Sequence, residues 1–368
     1  MQILLPALPQ IATDFEVESS TAQLTLSLSM LAIALGTLFY GPMSDKFGRK
    51  PIMLVGLLIT LVGSIFCYYS TTIETLIASR FVQAFGGAVG LVLARAIVRD
   101  SFEPEEAARV IATLVMVMVV IPMLSPALGG ELMNWFGWQS VFLVVAVGSL
   151  IMMLFTATQL QETLVEPVQF EGVVEMLKTY AKLLKSDAFR GYALCVSFVS
   201  VVFFSFIAAA PEIMVSTLQR PPTEYGYYFV IIPLGFMLGN NVARRFVTGH
   251  GPDTMIARGA IVGIAGVLLA LALQLAGIQH PIALFAPVAL AVFGNGISLP
   301  IAQAAAINEF PEMAGSASGL TGFLQMALSA IAAQVVALIY NGTAIPLLIL
   351  MLSAATLSYY NFHKGARS

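Results

Sequence analysis

Runs of about twenty apolar residues, separated by short polar stretches, recur along the whole chain. The spacing predicts spans over 21–42, 51–70, 74–97, 110–132, 139–159, 191–214, 225–246, 254–276, 282–304, 314–339 and 343–361. At about 1.5 Å of rise per residue, each run crosses the roughly 30 Å hydrocarbon core of a bilayer as a helix. Only helices and closed barrels satisfy their backbone in lipid. The short alternating segments of a barrel are not visible. Residues 1–9 read as the outer end of one more helix. The expected count is therefore twelve, with the first helix cut short by about 15–20 residues.

A long polar stretch at 160–190 divides these runs into two sets of similar size. The expected organisation is an all-α membrane protein with a six-helix bundle over 1–159, a linker over 160–190 and a second six-helix bundle over 191–368. Within the linker, Val173, Leu177, Tyr180, Ala181 and Leu184 repeat at helical spacing, with Lys178, Lys182 and Lys185 mainly on the other side. That pattern suits a helix lying on an anionic leaflet, and it equally suits a solvated linker helix. Two six-helix halves suggest a transporter built from repeats.

Composition agrees. The chain of 368 residues is 58% hydrophobic and 10% charged, with mean hydropathy +0.90. Soluble domains carry about a quarter charged residues. The basic residues Lys46, Arg49, Lys50, Arg95, Arg99, Arg109, Lys178, Lys182, Lys185, Arg190, Arg244, Arg245, Arg258, Lys364 and Arg367 all fall in loops of one side on a twelve-helix count. By the positive-inside rule that side, with both termini, is cytoplasmic. The other side holds Arg220 and the acids Asp14, Glu16, Glu18, Glu74 and Glu224. Cys67 and Cys195 lie in apolar runs of opposite halves and read as small buried hydrophobes. His250, His280 and His363 have no metal-ligand spacing, so no metal and no cofactor are expected. The net charge of −3 gives no reason to expect a nucleic-acid partner. The first residues lack the basic region of a signal peptide.

Three local patterns carry chemistry. The first is the loop Gly41-Pro42-Met43-Ser44-Asp45-Lys46-Phe47-Gly48-Arg49-Lys50. Gly41 and Gly48 are expected to allow a tight turn and close helix approach. Arg49 can pair with a nearby carboxylate, and Asp100 is the candidate; such a cluster could latch two halves in one state. The second is Arg80, an arginine within a span, which needs a polar or acidic partner in the bundle interior unless it snorkels to the outer interface. The third is Pro122-Met123-Leu124-Ser125-Pro126-Ala127-Leu128-Gly129-Gly130. Its two prolines open the backbone ladder, and Gly129 and Gly130 admit a partner helix. An ordinary proline kink is the plainer reading.

The Gly-x-x-x-Asp-x-x-Gly-Arg-Lys loop resembles the signature of major facilitator transporters, and the second half repeats it only as Arg244-Arg245-Phe246, without the aspartate. The Pro122–Gly130 stretch resembles the helix-5 pattern of exporters in that superfamily, where it seals the interface between halves. Leu5-Pro6-Ala7-Leu8-Pro9-Gln10-Ile11, Arg95-Ala96-Ile97-Val98-Arg99-Asp100 and Phe310-Pro311-Glu312-Met313-Ala314-Gly315-Ser316-Ala317-Ser318-Gly319 resemble segments of Bcr/CflA-type drug exporters. The resemblance runs from Leu5 to about Tyr360. It implies a major facilitator fold and proton-driven export of drugs or small hydrophobic or cationic compounds from a bacterial cytoplasm. The implied setting is the inner membrane and the implied unit a monomer. It also implies that Arg80 serves proton coupling or substrate contact, and coupling is the role expected here.

One departure stands out. Many relatives carry an aspartate where this chain has Gln2, which cannot release a proton. The remaining candidates for the proton site are Glu131 and Glu212, either of which could instead be an interfacial carboxylate, and Glu74, which reads more plainly as a loop residue. Expected cavity-lining residues are Met30, Gln83, Met116, Phe203, Phe206, Tyr228, Asn240, Asn295 and Gln325, each of which could instead be packing. The rival readings are an exporter of one metabolite such as an amino acid, a non-transporting receptor that kept the fold, and a membrane enzyme. No nucleophile–base pair lies within a span to support the last.

Overall fold

The computed structural model describes residues 2–102, 104–164 and 173–365. A 3-10 turn, Gln2–Ala7, leads into α1 (Leu8–Asp14). There follow α2 (Ser19–Phe47), α3 (Arg49–Tyr68), α4 (Ile73–Ser101), α5 (Pro104–Phe136), α6 (Ser140–Gln159) and α7 (Val173–Lys185). The chain continues through α8 (Asp187–Glu212), α9 (Pro222–Phe229), α10 (Ile231–His250), α11 (Pro252–Leu275), α12 (Pro281–Asn308), α13 (Ala314–Leu338) and α14 (Ile345–Gly365). Among the described residues, ten stretches are long and apolar enough to cross a membrane, α9 and α10 sharing one of them. The 33-residue α5 occupies the remaining run, expected at 110–132. Residues 165–172 of the expected linker and Arg367 lie outside the described residues, as do the side chains of Arg99 and Arg109.

Helices outrun the apolar stretches that revealed them. The α2 helix continues past Gly41 and Pro42 to Phe47, because Ser44, Asp45 and Lys46 are polar without breaking a helix. The expected turn at Gly41 is thus absent, and the reversal rests on Gly48 alone, at φ +98°. Gly251, at φ +80°, makes the equivalent turn between α10 and α11. Few side chains other than glycine adopt that region.

The packing repeats between the two parts of the chain. In the first, α2 and α3 both pack on α4, α3 also packs on α6, and the Gln2–Ala7 turn packs on α5. In the second, α10 and α11 both pack on α12, α11 packs on α14, and α8 packs on α13. Small residues bring backbones together at matching places. A Cβ on Gly86 would stand 2.6 Å from the Gly56 carbonyl oxygen, and one on Gly294 would stand 2.4 Å from that of Gly259. Within lipid, such close contact replaces the hydrophobic effect as the force joining helices.

Large apolar side chains cover the outside. Leu143, Val147, Leu150, Ile151, Leu154 and Phe155 of α6 are all exposed. Trp135, Phe136 and Tyr69 are exposed at the helix ends opposite the basic loops, where amphipathic rings suit the lipid–water boundary. In α7, the side facing the protein is centred on Tyr180 and Leu183, which pack with Phe189, Ala317 and Leu320. Leu177 and Leu184 point outward beside exposed Lys178. The apolar stripe read from sequence is therefore shared between protein and surroundings rather than presented to one of them.

Candidate functional site

At the basic end, the loop after α2 forms a compact polar cluster. Arg49 is 3% exposed although it opens α3. Its Nε donates to Asp100 Oδ2 at 2.9 Å, and its guanidinium meets Asp45 at 2.5 Å and Ser44 Oγ at 2.6 Å. A planar fork with several donors can hold these partners at once. Sequence reasoning missed a further member, Glu162. Its carboxylate accepts the backbone N–H groups of Arg49 at 2.8 Å and Lys50 at 3.2 Å, and also those of Thr163 and Leu164. Burial pushes this carboxyl up, but the four amides from Leu164, Arg49, Lys50 and Thr163 outweigh it and hold it below the ordinary glutamate value. The Gly48 turn is also tied to this contact, because a Cβ there would sit 2.5 Å from Glu162 Oε2. A Cβ on Gly41 would meet only Val92, at an ordinary 3.8 Å.

Arg80 does not reach an interface. It is 6% exposed, inside the first part of the chain. It donates to Gln83 Oε1, and Gln83 Nε2 donates in turn to Ser64 Oγ at 2.6 Å. The guanidinium lies over the Phe142 ring at 5.8 Å, and its Nε has no partner. Among the described residues no carboxylate forms an ion pair with it. A buried cation met by one amide and a ring, without a counter-charge, is costly and marks a place where charge matters.

The expected hinge is placed as follows. The α5 helix runs unbroken through Pro126 to Phe136, and Pro126, Gly129 and Gly130 are buried. The side chain of Pro122, like that of Met116, lies outside the described residues. Gly129 faces the first turn of the chain: a Cβ there would stand 1.9 Å from the Ile3 carbonyl oxygen. A close backbone contact of α5 with the second half comes two residues earlier, where Gly226 of α9 sits against the backbone of Ala127.

Among the described residues, three side-chain hydrogen bonds join the two parts of the chain, all at the end opposite the basic loops. Ser27 Oγ donates to Gln334 Oε1 at 2.9 Å, and Gln334 Nε2 donates to the Ser20 carbonyl at 3.0 Å. Tyr227 donates to Glu131 Oε1 at 3.0 Å. At the same end Glu212 accepts from Ser216 at 2.5 Å. It borders a cavity of about 30 Å³ shared with Gln23 and Tyr340, room for a water, and the Nε2 of Gln23 has no partner.

A larger cavity of about 230 Å³ lies between these two ends. Phe203, Asn295 and Gln325 line it, as does Gln2 from the opposite half of the chain. Sequence reasoning did not single out Ser200, Phe204, Phe236 or Met326, which also line it. Met30 and Phe206 lie elsewhere, fully buried in the main core, with Phe206 edge-on to Phe285 at 5.2 Å. Tyr228 also packs against Phe285, and Gln83 is committed to Arg80 and Ser64. Asn240 borders Gly296 through its backbone rather than the cavity.

Known proteins place this arrangement. The family model described as Major Facilitator Superfamily matches residues 1–333. The "Bicyclomycin resistance protein homolog" of Haemophilus influenzae is 29% identical, covering 99% of this chain and 91% of its own. An uncharacterized MFS-type transporter of Bacillus subtilis is 31% identical, covering 98% and 90%. "Multidrug resistance protein D" of Escherichia coli is 28% identical, covering 92% and 84%. Among solved structures, the human organic anion transporter TETRAN superposes with a TM-score of 0.67 over 98% of this chain and 89% of its own, at 18% identity, a likeness of fold alone. The helical bundle, the Asp45–Arg49–Asp100 cluster and these relatives agree: the chain is a multi-pass membrane transporter rather than an enzyme, and it belongs to the Major Facilitator Superfamily, with relatives of the Bcr/CflA drug-resistance type.

Proposed function

We propose that this transporter exports small, mainly hydrophobic compounds from a bacterial cytoplasm across the inner membrane in exchange for protons, acting as a monomer with cytoplasmic termini. The two halves, 1–159 and 191–368, rock about the central cavity and expose it to each side in turn, with 160–190 as the connecting linker. The observation that carries this reading is the cavity of about 230 Å³, lined from both halves, in a protein whose halves are also joined at one end by the Ser27–Gln334 and Tyr227–Glu131 contacts. The other end is held by Arg49, Asp45 and Asp100 within the first half, a cluster suited to stabilising one of the two states.

Gln2 carries no proton, so coupling falls to other groups. Arg80 supplies a buried positive charge, and Glu212 and Glu131 are carboxylates placed at the contact between the halves. Protonation of a carboxylate there weakens its hold on a neighbour, which would link proton entry to opening of the seal. The driving force is about 2.3 kcal/mol per charge per 100 mV, plus the pH gradient.

The test is purified protein in liposomes with an imposed pH gradient and an interior pH dye. Addition of substrate is expected to dissipate the gradient, and Arg80→Ala is expected to reduce that flux by at least about tenfold, as removal of a buried functional charge does. Unchanged flux for Arg80→Ala at equal incorporation would remove the coupling role. Substrate movement without proton movement would remove the antiport mechanism.

A further inference from the structure

The central cavity has a chemical character that the reading above leaves open. Among the described residues lining it there is no Asp, Glu, Lys, Arg or His. Its polar groups are the hydroxyl of Ser200 and the amides of Gln2, Asn295 and Gln325, set among rings such as Phe203 and Phe236. The Ser200 hydroxyl is already given to the Val196 carbonyl at 3.0 Å, and Asn295 Nδ2 to the Val199 carbonyl at 3.2 Å. Among the described residues, the buried amide oxygen of Gln2 has no partner, and Gln325 is bonded through its backbone carbonyl with no hydrogen bond to its side-chain amide. The terminal torsion of a glutamine is soft, so both amides are free to turn toward a solute.

Charge decides what such a site takes. A cation entering it leaves water and meets no counter-charge, a penalty that amide dipoles do not recover. An uncharged solute pays little, and an N–H or O–H on it meets the unspent oxygen of Gln2. The volume is below the roughly 300–1,000 Å³ typical of sites for drug-sized ligands, so the fitting solutes are small. We propose that the cavity selects small uncharged amphiphiles, an aromatic or apolar body with a hydrogen-bond donor, over cations of the same size, and that Gln2 and Gln325, one from each half, are the residues that set this preference. The proposal rests on reading the cavity as the substrate path, and it narrows the expected range by removing cations.

Binding to the full-length protein in lipid nanodiscs, measured by equilibrium dialysis without any gradient, tests it apart from coupling. The probes are N-benzylacetamide, which is uncharged with one N–H; benzyltrimethylammonium, a cation of similar size; and N-benzyl-N-methylacetamide, uncharged without a donor. The amide is expected to bind about tenfold more tightly than either of the others, as one unmet hydrogen bond or one unpaired charge dictates. The nearly isosteric Gln2→Glu is expected to raise cation binding and remove the preference, and Gln325→Leu to weaken the amide alone. Equal binding of the cation and the amide to the unaltered protein would overturn the proposal. Equal binding of the two amides would overturn the role of the donor. Gln2→Glu leaving the order unchanged would overturn the assignment of Gln2. Loss of proton flux with this binding order intact would instead refute antiport and leave the selectivity standing.

Discussion

The Glu162 carboxylate ties the end of α6 to the start of α3, and with it Arg49 is held from two directions: its backbone by Glu162, its side chain by Ser44, Asp45 and Asp100. A lysine at position 49 keeps the charge but has one point of attachment. Arg49→Lys is therefore expected to lose about 1.5–3 kcal/mol of this cluster, the range for hydrogen bonds to charged groups, and to lower export in a drug-accumulation assay by at least about tenfold. The Glu162 contact also has a defined pH sense. Its carboxyl lies below the ordinary glutamate value when folded, so its stabilisation is complete above that ordinary value and is lost as pH falls through the lower folded one. Because Glu162 is exposed, solvent screens part of the effect. Hydrogen exchange is expected to show the Arg49 and Lys50 amides exchanging severalfold faster in Glu162→Gln at neutral pH, with no change at amides near the middle of α3. Equal exchange in both proteins would remove Glu162 from the cluster. The pairing of Arg49 with Asp100 was legible in the sequence because Asp100 is a carboxylate at the end of the next span but one, on the same side of the membrane. Glu162 was not, because it is 113 residues away and nothing in its neighbourhood marks it.

Helices were legible for a physical reason: a bilayer demands about twenty apolar residues per crossing, and the chain supplies them. Which face each helix turns inward was not. Phe203 and Phe206 lie on α8, three residues apart, yet one lines the cavity and the other fills the core. A span that is 78% buried gives no apolar–polar contrast from which to read its phase. Glycines show the same limit. Gly90 of α4 has nothing within 4 Å of a built Cβ, whereas Gly129 of α5 has the Ile3 carbonyl oxygen at 1.9 Å. Gly129→Ala is thus expected to destabilise by about 1–3 kcal/mol through overpacking. Gly90→Ala is expected to be neutral or stabilising by up to about 1 kcal/mol through helix propensity. Thermal unfolding in detergent, followed by size-exclusion chromatography, distinguishes the two; a Gly129 variant as stable as the Gly90 variant would contradict the close approach of α5 to the first turn.

At the scale of the molecule, the account depends on two repeated helical halves that separate at one end while staying joined at the other. The matching contacts of α2–α4 with α10–α12, and of α3–α6 with α11–α14, give each half its own packing. The halves pack along α2 and α13, and at one end that contact includes the polar pair Ser27 and Gln334. The native cysteines, Cys67 and Cys195, are both buried, so introduced thiols at the seal can be read against a quiet background. The decisive measurement is therefore export by the double variant Ser27→Cys, Gln334→Cys before and after oxidation in membrane vesicles. Export is expected to stop when the disulfide forms and to return on reduction, because a locked seal holds the cavity away from one side. Undiminished export with the two helices fully cross-linked would contradict alternating access by movement of the halves.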